Sequence, residues 1–152
     1  MRDGKVLLGP YQSMIALISL LLLPCLDMSL KMNSGLVAIV DDDESMRAAI
    51  QDLLSSVGIK ARSFASAEEF LLSGLQNEFA CLISDIRMPG MTGLELQAKL
   101  VADGCQIPII FITAHGNTRM RMQALGAGAV EFLGKPFDDE RLLVSVRAAL
   151  EN

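Results

Sequence analysis

Leu36-Val37-Ala38-Ile39-Val40 runs directly into Asp41-Asp42-Asp43. A short β-branched run of this kind reads as a buried parallel strand. Three carboxylates at its end repel one another and resist desolvation, so the stretch predicts a bound cation at a strand terminus. Cys81-Leu82-Ile83-Ser84 is a second strand-like run, and it too ends in an acid, Asp85. Two such ends side by side would form a pocket of hard oxygen ligands of the kind Mg²⁺ prefers.

Outward from this stretch, strand and helix patterns alternate five times. After the strand Leu36–Val40, the apolar residues Met46, Ala49, Ile50, Leu53, Leu54 and Val57 recur at helical spacing, and Gly58 is a natural stop. Ile59–Phe64 reads as a second, more amphipathic edge strand. Ser66-Ala67-Glu68-Glu69 is a capping-box pattern opening a helix with Phe70, Leu71 and Leu75 inward. Beyond the strand Cys81–Ser84 and a loop through Met88-Pro89-Gly90, Thr92-Gly93-Leu94-Glu95 is a second capping box, opening a helix to about Ala102. Pro108 precedes a fourth strand, Ile109–Ile112. Asn117 caps a helix ending near Gly126. Val130–Leu133 is the fifth strand, and Asp138 caps a last helix with Leu142, Leu143, Val146, Ala149 and Leu150 inward.

This alternation predicts an α/β fold, a parallel sheet covered by helices on both faces. In such a sheet ligands sit outside the carboxyl ends of the strands. The unusual polar residues fall there: Asp41 and Asp42 after the first strand, Asp85 after the third, Thr113 after the fourth and Lys135 after the fifth. A helix-capping role accounts for Asp42, Asp43 or Thr113 taken singly. It does not account for four strands delivering chemistry to one rim.

The chain has 152 residues and a formal net charge of -5, enough length for one domain with a core. Residues 36–152 carry 10 Lys and Arg against 16 Asp and Glu. Such an acidic domain is a poor direct binder of nucleic acid or an anionic membrane. His115 is the only histidine, which excludes a His-based metal site or a Ser-His-Asp triad within one chain. Cys25, Cys81 and Cys105 match no zinc or Cys-x-x-Cys spacing. Cys81 and Cys105 are expected as free thiols packed among apolar residues.

Val40-Asp41-Asp42-Asp43, the run from Asp85 through Arg87-Met88-Pro89-Gly90 to Gly93, Ile112-Thr113-Ala114 and Lys135-Pro136-Phe137 together resemble the signatures of the response-regulator receiver domain of two-component signalling. Thr113-Ala114-His115-Gly116 with Gly128-Ala129-Val130-Glu131-Phe132 is most similar to FixJ-type receivers. Those usually carry a DNA-binding helix-turn-helix domain as well, for which the sequence has no counterpart. The resemblance covers about residues 36–150. It implies a flavodoxin-like three-layer (βα)5 fold with strand order 2-1-3-4-5.

The resemblance also implies a site. Asp85 is then the phosphate acceptor, forming an aspartyl-phosphate. Asp42 binds Mg²⁺ directly, Asp41 directly or through water, and Asp85 and the backbone carbonyl of Arg87 complete the protein ligands. Asp43 stands outside them. Lys135 pairs with the carboxylate and then with a phosphoryl oxygen, behind a cis bond to Pro136. Thr113 donates its hydroxyl to the phosphoryl group, and the small Ala114 leaves the attack path open. Thr113 and Phe132 form the switch, the ring turning inward behind the threonine. Arg87 and His115 flank the site where receivers tune phosphate lifetime. Met120, Met122 and Leu125 are expected half in the core and half on an interaction face.

The implied partner is a histidine kinase or a phosphotransfer protein, with a homodimer on phosphorylation as a further possibility. The implied role is signalling rather than enzymatic, with an output related to transcription. Three other readings stay open. A Mg²⁺ phosphotransferase or phosphatase would want a general acid at position 87, where Arg stands. An FMN carrier would want a Ser/Thr/Gly-rich phosphate loop after the first strand, where the acids stand. A degenerate receiver acting only as a binding surface would not need the full set of acids, threonine and lysine.

Residues 1–35 form an apolar leader. Arg2 and Lys5 precede an uncharged stretch, interrupted by Pro10 and Pro24, that resembles a signal peptide or a marginal membrane span. Met28 and Met32 stand just before the first strand. The preferred reading is a mis-assigned start, a membrane anchor second and export last, because the phosphate donor is charged by cytoplasmic ATP. The domain is expected in the cytoplasm, at a membrane only if the leader is real.

Overall fold

The computed structural model describes residues 35–151. Residues 1–34, nearly all of the apolar leader with its signal and anchor readings, lie outside the described residues. Among the described residues, no helix is long and apolar enough to cross a membrane.

The elements run β1 (Val37–Val40), α1 (Glu44–Ser56), β2 (Ala61–Phe64), α2 (Ala67–Leu72), a 3-10 turn (Gln76–Glu78), β3 (Cys81–Ser84), α3 (Gly93–Ala102), β4 (Ile109–Thr113), α4 (Thr118–Gly126), β5 (Glu131–Gly134) and α5 (Asp139–Glu151). The five strands are parallel, in the order β2-β1-β3-β4-β5. This is the flavodoxin-like arrangement that the motifs imply.

Strand alternation divides the core in two. Ala38, Val40, Leu82, Ile109, Phe111 and Phe132 point to one face, where Phe70 of α2, Leu96 and Leu100 of α3 and Ala124 of α4 pack on them. Val37, Ile39, Cys81, Ile83, Ile110, Ile112 and Leu133 point to the other, under Ile50 and Leu54 of α1 and Leu142, Leu143 and Val146 of α5. With both faces covered, the central strands have no polar side and read as continuous apolar runs.

Chemistry sets the element ends. Asp43 caps α1, its carboxylate accepting from the Ser45 and Met46 amides. Thr92 opens α3 with a complete capping box: Glu95 N–H donates to Thr92 Oγ1 at 3.1 Å, and Thr92 N–H donates to Glu95 Oε1 at 3.0 Å. The two hydrogen bonds from Thr92 hold the Glu95 carboxyl below its ordinary value of 4.5. Its contribution is therefore present above that value and fades as the pH falls through the lower folded value. Thr92→Ala should cost about 1 kcal/mol, visible at pH 7 as a midpoint shift in urea.

Several boundaries differ from expectation. β2 begins at Ala61, not Ile59, because the Ile59 amide is spent on the Leu54 carbonyl at the end of α1, at 2.9 Å. In α1, Ala49 and Val57 lie exposed, leaving a narrower stripe of Met46, Ile50, Leu53 and Leu54. Val57 is the C-cap, whose non-helical backbone turns it off the stripe. The box at α2 is only half made: Ser66 accepts from Glu69, but the Glu69 carboxylate takes the amide of Ala65 rather than that of Ser66. β4 runs one residue further, through Thr113, which pairs with Gly134. β5 starts one residue later than expected, at Glu131.

Cys81 and Cys105 are free, as expected. Burial with no compensating charge pushes the Cys81 thiol up to about 12. Cys81 should therefore stay unmodified by iodoacetamide at pH 8 in the native protein and react only on unfolding, as peptide mass mapping would read.

Candidate functional site

Register brings the polar residues to one edge. Val40 pairs with Ser84 across β1 and β3, so the next residues on each strand, Asp41 and Asp85, emerge side by side. Thr113 ends β4, and its carbonyl accepts the Lys135 amide at 2.8 Å. The Lys135–Pro136 peptide is cis.

Lys135 joins the site from the far end of the chain. Its ammonium donates to Asp41 Oδ2 at 2.9 Å and to Asp85 Oδ2 at 3.0 Å. Asp41 is 2% and Asp85 8% exposed. Burial alone would lower the lysine's pKa. Its hydrogen bonds to Asp41 and Asp85, with their negative charge, outweigh that and leave it above its ordinary value. Burial raises the Asp41 carboxyl despite Lys135 and the Asp43 amide.

The remaining oxygens are held from the backbone. Asp41 Oδ1 accepts the Asp43 amide at 2.9 Å. Asp85 Oδ1 accepts the Ile86 amide at 2.6 Å and the Arg87 amide at 3.3 Å. These bonds fix the plane of the Asp85 carboxylate and direct Oδ2 toward Lys135. Asp42 lies exposed at the rim, and one oxygen each from Asp41, Asp42 and Asp85 come within 4.8 Å of one another. Oxygens around an octahedral Mg²⁺ lie about 3.0 Å apart when adjacent and about 4.2 Å when opposite, so the three carboxylates would draw together to hold the ion, Asp42 most readily from its exposed position. Asp43, tied into the α1 cap, stands apart from them.

Thr113 is buried, and its Oγ1 accepts the His115 amide at 3.4 Å. His115 and Arg87 present their side chains to solvent. Phe132 is already inward, 6% exposed. Its carbonyl accepts from Arg121 of α4 at 3.1 Å. Met120 packs on the core while Met122 is exposed and Leu125 is borderline, so the group is divided between core and surface.

Three residues shape the site without standing out as chemistry in the sequence. Arg47 donates to the Asp41 carbonyl at 2.7 Å. Its cation sits in the early turns of α1, where the helix dipole disfavours it, and that is a readable signal. Ser84, fully buried, donates to the Asp85 carbonyl at 2.7 Å. Gly93 donates its amide to the Ile86 carbonyl at 2.8 Å. A Cβ at position 93 would overlap the Asp85 carbonyl oxygen and lie 2.9 Å from Ile86 Cα. The absence of a side chain there lets α3 start directly against the acceptor loop.

Known proteins resemble this chain in sequence and in fold. The family model "Response regulator receiver domain" matches residues 37–147. Nodulation protein W of Bradyrhizobium diazoefficiens is 46% identical over 117 residues, covering 77% of this chain and 52% of that protein. The transcriptional regulatory protein FixJ of Azorhizobium caulinodans is 40% identical over 114 residues, covering 75% and 54%. The chain spans about half the length of the curated relatives it matches. Among solved structures, that of FixJ-N superposes with a TM-score of 0.69 at 37% identity, covering 77% of this chain and 94% of that one.

Proposed function

This chain belongs to the response regulator receiver domain family, and from that membership we propose that it is a phospho-acceptor of a two-component phosphorelay. It takes a phosphoryl group from a phosphohistidine of a histidine kinase or phosphotransfer protein onto Asp85. The observation that carries this reading is the Lys135 ammonium bridging Asp41 and Asp85 at 2.9 and 3.0 Å, at the mouth of a three-carboxylate cluster.

Asp85 Oδ2 attacks the phosphorus. The new O–P bond forms as the donor's P–N bond breaks, and the leaving imidazole recovers its neutral form with a proton from solvent. The transferring group is metaphosphate-like, so positioning and charge neutralisation do most of the work. The Ile86 and Arg87 amides hold the other carboxylate oxygen still. Lys135 follows the developing charge from the carboxylate to a phosphoryl oxygen, and the Thr113 hydroxyl turns from the His115 amide to another. Asp41, Asp42, Asp85 and the Arg87 carbonyl would hold Mg²⁺, which when bound supplies positive charge to the phosphoryl oxygens. His115 and the Arg87 side chain, at the rim, set how readily water reaches the product.

The domain acts on its own side chain and is not a turnover enzyme. The inward ring of Phe132 supports a reading in which phosphorylation selects an arrangement the fold already reaches. Its output is a partner or a second copy, in a transcription-related pathway such as the name of FixJ indicates. Residues 36–152 form the receiver, preceded by the leader 1–35, and the domain works in the cytoplasm, where the kinase finds ATP.

The test is intact mass after incubation with Mg²⁺ and acetyl phosphate. One added phosphoryl group is expected, and chelation with EDTA should prevent it. No uptake from acetyl phosphate or from a panel of kinases would leave only a binding module. Steady hydrolysis of an added phosphoester would favour a phosphatase.

A further inference from the structure

Gly116 lies in the segment between β4 and α4, against both switch residues. A Cβ at this position would stand 2.8 Å from Cε1 and Cζ of Phe132 and 2.8 Å from Cγ2 of Thr113. Carbon atoms rest at about 3.5–4.0 Å. A methyl at 116 and the inward ring therefore exclude each other unless something moves. Gly116 is not among the glycines with positive φ, so its backbone does not require glycine. What glycine provides here is space.

The surroundings leave little freedom to yield. The segment is held near Thr113 by the His115 amide on Oγ1. At its other end Asn117 caps α4, accepting the Met120 amide at 2.8 Å. Phe132 is fixed at its carbonyl by Arg121 of the same helix and at its amide by Glu131. The ring itself is the group most able to leave, by rotating out to solvent.

We propose that Gly116 is a positioning residue of the switch: it keeps open the seat of the Phe132 ring and so couples Thr113 to Phe132. The inference rests on the phospho-acceptor reading above and adds the residue on which transmission depends. A single methyl at 116 uncouples phosphoryl acceptance from the response at Phe132, because the ring can no longer follow the threonine inward.

The experiment compares the full chain with Gly116→Ala, Phe132→Leu and the double variant. Phosphoryl uptake is read by intact mass with Mg²⁺ and acetyl phosphate. The seat is read by the nuclear Overhauser contact between the Thr113 methyl and the side chain at position 132, with and without phosphate. Expected is one phosphoryl group on wild type and on Gly116→Ala alike, the Thr113–Phe132 contact present in the first and lost in the second. In the double variant leucine lacks the clashing ring edge and leaves room for the Thr113 methyl to move off the new Cβ, so that methyl regains a contact with the side chain at position 132. If Gly116→Ala does not fold, the double variant should fold, and that rescue supports the seat. The proposal is overturned if Gly116→Ala keeps the contact, or if alanine at 116 is equally damaging with leucine at 132. Failure of wild type to gain mass would instead sink the phospho-acceptor reading itself, and the coupling with it.

Discussion

Asp85→Asn should gain no phosphoryl group under conditions in which the wild type gains one, and should do so while still folded. The amide lacks the anionic oxygen that, on the proposed reading, attacks phosphorus, and its lone pair is delocalised into the carbonyl. The shape is conserved: Oδ1 still accepts the Ile86 and Arg87 amides. The Nδ2 group then faces the Lys135 ammonium, donor to donor, and the lysine falls back on Asp41 alone. One local hydrogen bond is lost, but so is one of three mutually repelling carboxylates, and the two changes oppose each other in stability. Mg²⁺ should bind at least about tenfold more weakly, since even an outer partner of a metal site is worth that much. Intact mass reads the first effect, a Mg²⁺ titration of amide resonances the second, and circular dichroism the fold. A phosphoryl group on the variant would move the acceptor away from Asp85.

The parts of this molecule legible in the sequence are those where chemistry interrupts a pattern. β3 matches its expected span because apolar residues end abruptly at Asp85. α3 matches at both ends because the Thr92–Glu95 box marks its start. β2 starts later than its pattern suggests because Ile59 is apolar and β-branched like a strand residue, yet its amide closes α1. Backbone hydrogen-bond partners are set in three dimensions, and no residue type announces them. The site shows the same division. Charged residues at strand ends are costly unless they meet, so Asp41, Asp42, Asp85 and Lys135 are visible from afar. Thr113 is visible only in their company. Ser84 and Arg47 act on carbonyls of the acid residues, and Gly93 and Gly116 act through atoms they lack. Contacts made possible by a missing Cβ leave no trace in spacing or polarity.

Lys135→Met should damage both stability and uptake, and the pH and cation dependence of the damage identify its cause. Methionine keeps the volume of the lysine stem and removes the charge. The lysine side chain it replaces is 13% exposed, and its ammonium bridges Asp41 and Asp85, whose side chains are 3% and 9% exposed. Breaking such a pair strands charge away from water, at a cost of about 3 kcal/mol or more. The Asp41 carboxyl, already raised by burial, loses the hydrogen bond and the positive charge that hold it down and rises further. A carboxyl raised in the folded state binds more protons folded than unfolded. The variant's stability deficit is therefore larger at pH 8 than at pH 5, shrinking as the pH falls and protonation begins to remove the stranded charge. Added Mg²⁺ should stabilise the variant more than the wild type, because a cation among the three carboxylates takes over the neutralisation that the lysine supplied. Stability can recover in this way while chemistry does not. On the proposed phospho-acceptor reading the lysine is also the preset donor for the charge on the transferring group, and loss of one such donor costs about 100- to 1000-fold in rate. Urea midpoints at pH 5 and 8, with and without Mg²⁺, and the rate of mass gain from acetyl phosphate test this together. Equal deficits at both pH values would place the loss in packing of the lysine stem rather than in its charge.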